Sequence, residues 1–474
     1  MAEALVIDGP RHLAGIQCAL RLWLEARGER GEDPARAAEL SAGRRARDEL
    51  RALAAGLLPG AQRDVLLRWG GFEARADFLV RDGDGRTGLR QVRAALRPSE
   101  AHLDELAFAV AVARASGLEL GSVGVLHLAA DFTRGAGACD PGALLRHSDV
   151  TRDVHFLARD LERRLGEQRR TAEAAEPPRV EPSPHCRRPS ACPFWLRCTS
   201  GRRSDWIGYL PALRIETHAA LQEQGVERAG DIPEDFPLSP AQENARESAR
   251  RGAPYASPEL AAALEPLLPE ADFLDFEAIV PEIPLYPGTH PFEVIPFQWS
   301  AHLCDGGGPP RHAEFLAEGG GDPRRAFAES LLAAFGGRGR RIGVYSGFES
   351  DVLAQQARVF PDLAEPLDRM RARLYDLLPV MRRTLYHPAF LGSFSLKRIV
   401  PVLSPGAGWS DLRGVADGGA AARGWHALAR GELSPEAGAR LLDELRAYCA
   451  RDSEALVLLV RALRRFAAAT HSSP

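Results

Sequence analysis

The stretch FLDFEAIV, residues 273–280, says most about the fold of the C-terminal half of this chain. Its short apolar run predicts a buried β-strand, in which side chains two positions apart lie on the same face. Asp275 and Glu277 would therefore point the same way, with Phe276 packed behind them. Paired carboxylates repel each other unless a divalent cation neutralises them, and Mg²⁺ and Mn²⁺ prefer such hard oxygen ligands. The stretch therefore predicts a metal site.

A second carboxylate motif, YCARD at residues 448–452, lies in a helical pattern near the C-terminus. Residues four apart are neighbours on a helix, so Tyr448 and Asp452 would aim at one point. A strand carboxylate and a distant helix carboxylate can share one cation. The spacing therefore adds Tyr448 and Asp452 to the predicted site.

The rest of the chain predicts several folded parts, because 474 residues suffice for two or three domains. The runs FLDFEAIV, EVIPFQWSAHL and RIGVYS predict three strands of a mixed α/β domain from residue 268 onward. Residues 74–96 predict a hairpin around the turn-rich DGDG. Residues 168–184 predict a solvated linker or long loop, and 205–267 a small helical connector.

Charge and hydropathy limit the possible partners and the location. The net charge of −4 means that any contact with nucleic acid must come from local arginine patches. The sequence has no run of eighteen apolar residues and no basic start followed by an apolar core and cleavage site. We therefore expect no membrane partner and a cytoplasmic location.

Lys397 is the only lysine, and arginine fills every other basic position. A genome rich in G and C would favour arginine over lysine, and Lys397 would then remain by chance. The alternative is a position where a compact ammonium is needed and a planar guanidinium does not fit.

The D-x-E strand and the Y-x-x-x-D helix resemble the DEDDy branch of the DnaQ-like 3′–5′ exonucleases, which have a ribonuclease H-like fold. The resemblance implies two Mg²⁺ or Mn²⁺ ions, which activate a water and stabilise the leaving 3′ oxygen. It implies that Asp275 bridges both ions and that Glu277 holds the ion carrying the water. Tyr448 would orient that water, and Asp452 would complete the cage.

This resemblance also implies a middle carboxylate at a helix start after the third strand, within VYSGFESDVL. Glu349 is the first choice and Asp351 the second. The usual residue is an aspartate that follows an asparagine and an aromatic residue. Because glutamate reaches one methylene further, the metal geometry would differ from that of the family.

A more specific resemblance is to the bacterial family named domain of unknown function 2779. It rests on segments that occur in the family's order: FLDFEAIVPEIPLYPGTHPFEVIPFQWSAHL, HAEFL, VYSGFES, YDLLPV, YHPAFLGSFSLKRIVPVLSP and YCARDSEAL. The resemblance implies a DnaQ-like domain. It also places Lys397 in a family motif, GSFSLK, which favours contact with a phosphate over chance survival.

The cysteines suggest a second centre. Three of the seven crowd together as C-x5-C-x5-C, which is not the paired C-x2-C pattern of a structural zinc site. One early cysteine plus three later ones resembles the RecB-like PD-(D/E)XK nucleases with a four-iron four-sulfur cluster. The implied ligands are Cys18, Cys186, Cys192 and Cys198; zinc or free buried thiols are the alternatives.

The other three cysteines, Cys139, Cys304 and Cys449, are expected to pack as small apolar residues.

The N-terminal half departs from the PD-(D/E)XK catalytic pattern. Asp77 matches the first acid, but Gln91 and Arg93 stand where an acid and a lysine are required. An amide and a guanidinium cannot replace those groups. We therefore expect this half to be catalytically inactive and to bind or guide nucleic acid.

Together these features predict three parts: an inactive RecB-like iron–sulfur domain at 1–204, the connector at 205–267 and a DnaQ-like exonuclease domain at 268–474. The expected activity is 3′–5′ hydrolysis of DNA or RNA, with DNA repair or defence suggested by analogy alone. The alternative is a non-catalytic nucleic-acid-binding iron–sulfur scaffold. A third hypothesis makes the cysteine cluster a redox sensor that controls the nuclease.

Overall fold

The computed structural model describes residues 5–31, 34–159, 161–306 and 308–471. The chain forms two compact units, of which the first comprises Met1–Gly201 and Pro281–Glu293. The second comprises Arg202–Val280 and Val294–Pro474. Each unit combines β-strands with helices, so the predicted α/β class is confirmed.

The units divide the chain differently from the predicted parts. The first boundary, at Gly201, lies close to the predicted one at 204, but residues 205–267 lie within the second unit. Pro281–Glu293, predicted as part of the exonuclease domain, belongs to the first unit. Backbone hydrogen bonds hold this segment there: Arg134 N donates to Thr289 O at 2.9 Å, and Gly288 N to Arg134 O at 2.8 Å.

The first unit contains six strands and eight α-helices within its described residues. In chain order they are β1 (Ile7–Asp8), α1 (Gly9–Gln17), α2 (Ala19–Ala26), α3 (Pro34–Leu57), β2 (Gln62–Trp69), β3 (Phe72–Arg81), β4 (Thr87–Arg93), α4 (Glu100–Ala115), β5 (Leu120–Leu128), α5 (Pro141–Leu144), β6 (Leu145–Asp149), α6 (Thr151–Ala158), α7 (Leu161–Glu173) and α8 (Trp195–Thr199).

The sheet of the first unit has the order β1-β3-β4-β5-β6, with β2 also paired to β3. The predicted hairpin is confirmed, because β3 and β4 pair antiparallel around the turn at residues 82–85. Gly85 has φ +81°, a conformation that glycine adopts without strain. Helix α4, whose residues 106–113 are all buried, crosses over from β4 to the parallel strand β5. The apolar helix thus forms the centre of this core.

The predicted linker at 168–184 is partly wrong, because α7 continues to Glu173. Its buried residues are Leu161, Leu165, Gln168 and Ala172, which recur at helical spacing. Half of this pattern precedes residue 168. The last turns of the helix therefore could not be recognised from the composition of residues 168–184 alone.

The second unit contains seven strands and ten α-helices within its described residues. In chain order they are α9 (Ile215–Glu223), α10 (Pro240–Arg251), β7 (Tyr255–Ala256), α11 (Leu260–Leu264), β8 (Asp272–Ile279), β9 (Ile295–Leu303), β10 (Arg311–Leu316), α12 (Arg324–Phe335), β11 (Ile342–Val344), α13 (Phe348–Val359), α14 (Ala364–Arg371), β12 (Leu374–Asp376), α15 (Leu377–Thr384), β13 (Leu385–Tyr386), α16 (Leu396–Leu403), α17 (Gly418–Ala429) and α18 (Pro435–His471).

The main sheet of the second unit has the order β10-β9-β8-β11-β12. The first three strands of this sheet in chain order, β8, β9 and β10, form an antiparallel meander, whereas β11 and β12 run parallel to β8. The sheet therefore has five strands, and RIGVYS supplies the fourth, not the third as predicted. The overlooked strand, Arg311–Leu316, has no fully buried residue, so its sequence carried little apolar signal.

The central strand β8 separates two helical layers. Leu274 and Phe276 pack against Phe327 of α12 and other residues of one core, while Phe273 on the opposite face belongs to the core that contains α18. This division follows from the two-residue period of a strand. Among the described residues, no helix is both long and apolar enough to cross a membrane.

Candidate metal centre

Strand β8 presents its two carboxylates to the face covered by α18. Across the antiparallel pairing, Asp275 is opposite Ser300 and Glu277 is opposite Gln298 of β9. The Ser300 hydroxyl is 2.8 Å from the Ser453 hydroxyl, and the Gln298 amide donates to Leu445 O at 2.9 Å. These polar contacts tie the sheet to α18, so the two acids meet the helix at a defined register.

Helix α18 supplies the third acid. One carboxylate oxygen from each of Asp275, Glu277 and Asp452 lies within 4.8 Å of the other two. Within the part of the chain that the structure describes, this is the one set of three or more acidic, histidine or cysteine side chains at such spacing. The structure therefore brings together Asp275, Glu277 and Asp452, which lie up to 177 residues apart and which the sequence predicted as metal ligands.

The electrostatics of this acid cluster, Asp275, Glu277 and Asp452, match those of a cation site. Burial, then the charge of Asp452, raises the pKa of Glu277 to about 8. The pKa of Asp275 lies well above its usual value, mainly through burial and then through Asp452 and Glu277. Burial also raises the pKa of Asp452. A divalent cation would remove this mutual repulsion and displace the protons.

Glu349 lies in the first turn of α13, at the helix start predicted for it. It is not part of the close set, but its charge contributes to the raised pKa values of Asp275 and Glu277. Burial raises its own pKa to about 8, and its Oε2 has no hydrogen-bond partner among the described residues. Asp351, the second choice, is exposed. The geometry thus favours Glu349 over Asp351.

Lys397 lies beside the acid cluster. Its Nζ is 4.5 Å from the ring centroid of Tyr448 and donates to Ala416 O at 2.8 Å. Its charge lowers the pKa of both Glu277 and Asp452, against the effect of burial. The single lysine of the chain is therefore close enough to meet an anion bound at the carboxylates.

Tyr448 also takes part in the site, as its helical spacing from Asp452 predicted. Its side chain is hydrogen-bonded to Asp452, and its pKa is raised by burial and then by the charges of Asp452 and Glu277. The phenol is therefore protonated at neutral pH, and its hydroxyl donates to the carboxylate.

Three neighbours of the cluster were not predicted. Trp409 Nε1 donates to Asp452 Oδ1 at 2.6 Å. Gly418 starts α17 so close to Glu277 that a Cβ added there would be 3.6 Å from Glu277 Oε2. Cys449, expected only to pack, is buried with its Sγ 3.5 Å from Asp275 Oδ2. Trp409 and Gly418 lie in or next to loops without periodicity, so their sequence gave no signal, whereas Cys449 is inside the quoted YCARD motif.

In the first unit, Asp77 is fully buried and paired with arginines. Arg47 Nη2 lies 3.2 Å from Asp77 Oδ1, Arg51 Nε 3.0 Å from the same atom, and Arg93 Nη1 3.8 Å from Oδ2. Gln91 accepts a hydrogen bond from Asp77 N at 2.9 Å. Guanidinium groups thus occupy the surroundings of this acid, where a cation would be repelled.

Four cysteines of the first unit line one small cavity, together with Leu20, Leu24, Val180 and Phe194. They are Cys18, Cys186, Cys192 and Cys198, the four predicted ligands. Cys18 lies between α1 and α2, and Cys192 N donates to Cys186 O at 2.7 Å. Burial raises the pKa of the Cys186 thiol to about 11. Cys139 packs in a separate apolar core.

Comparison with known proteins gives a family match within the C-terminal half of the chain. No curated protein matches this chain. This family match begins at β8 and includes Asp275, Glu277 and Glu349, but it ends before Lys397, Tyr448 and Asp452, so it is shorter than the resemblance predicted. Residues 272–395 match the model of a family described as a domain of unknown function (DUF2779).

Proposed function

We propose that this protein is a metal-dependent 3′–5′ exonuclease that hydrolyses phosphodiester bonds of DNA or RNA at the acid cluster. The observation that carries the proposal is the meeting of Asp275, Glu277 and Asp452 within 4.8 Å at a buried strand. Buried carboxylates are costly unless they are paired or coordinate a metal. A function that uses a metal explains why three buried carboxylates lie together.

The topology of the second unit supports a ribonuclease H-like fold. Numbered from β8, its strands have the order 3-2-1-4-5, and the first three form an antiparallel meander. The D-x-E pair lies on the first and central strand, and the Y-x-x-x-D pair lies on the C-terminal helix. This arrangement agrees with the DEDDy pattern that the sequence resembles.

The residues fit Mg²⁺ or Mn²⁺. The donor set is all oxygen, and the buried Oε2 of Glu349 adds an acceptor without a partner in the described chain. Hard divalent cations select such ligands. We propose two ions, held by Asp275, Glu277, Glu349 and Asp452.

The bound ions would supply an activated water and charge stabilisation for the leaving 3′ oxygen. Asp452 is oriented by two donors, Tyr448 and Trp409, which leaves its remaining lone pairs for a ligand. The protonated Tyr448 hydroxyl can turn to hold the attacking water. Lys397 offers a compact ammonium for a non-bridging phosphate oxygen, which a larger guanidinium would reach with different geometry.

The first unit is proposed to be a non-catalytic iron–sulfur domain of RecB-like PD-(D/E)XK type that binds or guides nucleic acid. Its Asp77 is already neutralised by Arg47, Arg51 and Arg93. The four cysteines around one cavity are the usual ligand set of a four-iron four-sulfur cluster. Tetrahedral zinc would hold its sulfur ligands about 4 Å apart. No three of these four described cysteines form a set within 4.8 Å, which favours the larger cluster.

The nuclease is tested with 5′-labelled single-stranded DNA and RNA in Mg²⁺ or Mn²⁺. We expect a ladder of products shortened from the 3′ end, and loss of at least about 100-fold of activity in Asp452→Asn. Asp443→Asn is the matched control, since Asp443 lies on the same helix with its side chain 82% exposed. A wild-type protein that binds these strands but degrades none would support the scaffold alternative instead.

The cluster is tested separately by an anaerobic absorbance spectrum and by iron and sulfide analysis. Wild-type protein is expected to absorb near 400 nm and to contain about four iron atoms per chain. Cys186→Ser should lose this absorbance, whereas Cys139→Ser, from the apolar core, should keep it. Stoichiometric zinc without iron would contradict the cluster.

A further inference from the structure

A cavity of about 960 Å³ opens beside the acid cluster in the second unit. Its walls are Lys397 and Pro401 of α16, the loop of residues 404–411, and Arg451, Glu454 and Leu458 of α18. Small-molecule sites in proteins have volumes of about 300–1,000 Å³, so this space suits a nucleoside-sized ligand. None of the predicted catalytic carboxylates lines it.

Trp409 connects this cavity to the carboxylates. Its indole nitrogen is bound to Asp452 at 2.6 Å, while its side chain lines the cavity and is only partly buried. The hydrogen bond orients the edge of the ring toward the acid cluster. A flat aromatic surface next to a phosphodiester site is the feature that proteins use to stack unpaired bases.

Lys397 is the second connection, because it lines the same cavity and its Nζ is 6.0 Å from the Trp409 ring centroid. The same ammonium lies 4.5 Å from the ring of Tyr448, which is bonded to Asp452. A cation and an aromatic ring at this separation can serve the phosphate and the base of one nucleotide.

The loop of residues 404–411 is held in place and so offers a preformed wall. The Arg451 guanidinium pairs with Asp411 at 3.0 Å and with Glu454 at 3.4 Å, and it also donates to Gly408 O. Both acids of the cavity therefore have a cationic partner. The remaining cation, Lys397, lies at the end nearest the acid cluster.

We propose that this cavity is a base-binding subsite, which receives an unpaired nucleobase stacked on Trp409 from the nucleotide that adjoins the scissile phosphate. This inference rests on the proposed nuclease function and defines its substrate. A base inside a duplex is stacked on its neighbours and cannot also lie on Trp409 without leaving the helix.

Binding measured without hydrolysis tests the proposal independently of catalysis. Fluorescein-labelled oligo-dT and oligo-U are titrated with protein in EDTA, and anisotropy gives the Kd. Trp409→Leu is expected to raise the Kd about 5- to 100-fold, and Trp409→Phe, which keeps a ring, much less. Phe360→Leu, at a half-buried aromatic residue of the second unit that follows α13 and does not line the cavity, is the matched control and should change little.

Oligomers that lack one base test the proposal on wild-type protein, so the test does not depend on the folding of a variant. Oligomers that lack the base at one of the last three 3′ positions are titrated against wild-type protein. Removal of the base at one of these positions is expected to raise the Kd of the wild-type protein as far as Trp409→Leu does. When that abasic oligomer is titrated with Trp409→Leu, the Kd should rise no further. Equal affinity for all abasic oligomers, an unchanged Kd in Trp409→Leu, or equal affinity for a blunt duplex would overturn the proposal. If the proposed nuclease function is wrong, hydrolysis will be absent while this binding pattern is still observed.

Discussion

At the residue scale, the acid cluster of the proposed metal centre lowers the stability of the metal-free protein. Asp275, Glu277 and Asp452 are crowded together and buried, so each raises the cost of ionising the others. A pKa change of one unit corresponds to about 1.4 kcal/mol, so raised values destabilise the metal-free fold at high pH. In the proposed function, the same crowding would provide the affinity for a cation. Stability and function therefore oppose each other at these positions.

Glu277→Gln is expected to stabilise the metal-free protein at high pH. The folded-state pKa of Glu277, about 8, lies above its ordinary value of 4.5, so its stabilising contribution is present below pH 4.5 and is lost as the pH rises toward 8. In EDTA at pH 8.5 the variant should have a higher Tm than wild type, and the difference should shrink toward pH 5. Glu365→Gln, with a side chain 84% exposed, is the control. An equal or lower Tm at pH 8.5 would contradict the repulsion.

Glu349→Gln should reduce metal-dependent activity by about 100-fold or more, while Asp351→Asn should leave it near wild type. The reason is that Glu349 is buried beside the cluster with an unpartnered oxygen in the described chain, and Asp351 faces solvent. Initial rates at several Mn²⁺ concentrations measure this. A reversed order of the two variants would make Asp351 the middle ligand.

At the element scale, packing decides where the functional residues lie. Helix α17 starts at Gly418 beside Glu277 and is anchored further along by Trp425, which is fully buried. The Trp425 ring stacks on Phe297 of β9 at 4.6 Å, and its Nε1 donates to Ala317 O at 2.7 Å. One aromatic anchor thus fixes the helix start against the carboxylate strand.

Trp425→Ala is expected to lower the free energy of unfolding by about 3–5 kcal/mol, because it leaves a large cavity. Trp425→Phe keeps the stacking and loses one hydrogen bond, so its cost should be nearer 1–2 kcal/mol. Urea denaturation followed by circular dichroism measures both. Trp69→Ala, at the partly exposed tryptophan, should cost less than either. Similar values for Trp425→Ala and Trp69→Ala would show that α17 is not anchored in this way.

At the scale of the whole molecule, the two candidate centres belong to different compact units. The cysteine cavity is built from residues of the first unit, and the acid cluster from residues of the second. Each unit has its own buried apolar core. We therefore expect ligands of one centre to stabilise the unit that holds it.

Mn²⁺ should raise the Tm of the transition that belongs to the second unit in wild type and in Cys186→Ser, but not in Asp275→Asn. The cation binds only the folded acid cluster, and the cysteine change leaves that cluster intact. Differential scanning calorimetry with and without Mn²⁺ gives the shifts. If Cys186→Ser abolished the Mn²⁺ shift, the two centres would not be independent.

Much of the candidate site could be predicted from local spacing. The two-residue period of a strand pairs Asp275 with Glu277, and the four-residue neighbourhood on a helix pairs Tyr448 with Asp452. The singular Lys397 was found by composition and by its motif. Trp409 could not be predicted, because a loop residue has no periodic pattern. The strand at Arg311–Leu316 was not predicted either, because it is only weakly apolar.

The α/β class, the Asp275–Glu277 and Tyr448–Asp452 pairs and the set of four cysteines could be predicted from the sequence, because these depend on residue chemistry and on periods of a few residues. The folded chain was needed to show that Asp452 meets Asp275 and Glu277, that Glu349 is buried beside them, and that Trp409 joins them to a cavity. The physical reason is that such contacts depend on how β8, α13 and α18 pack against one another. Packing is the sum of many small contacts along the chain, and no short motif contains it.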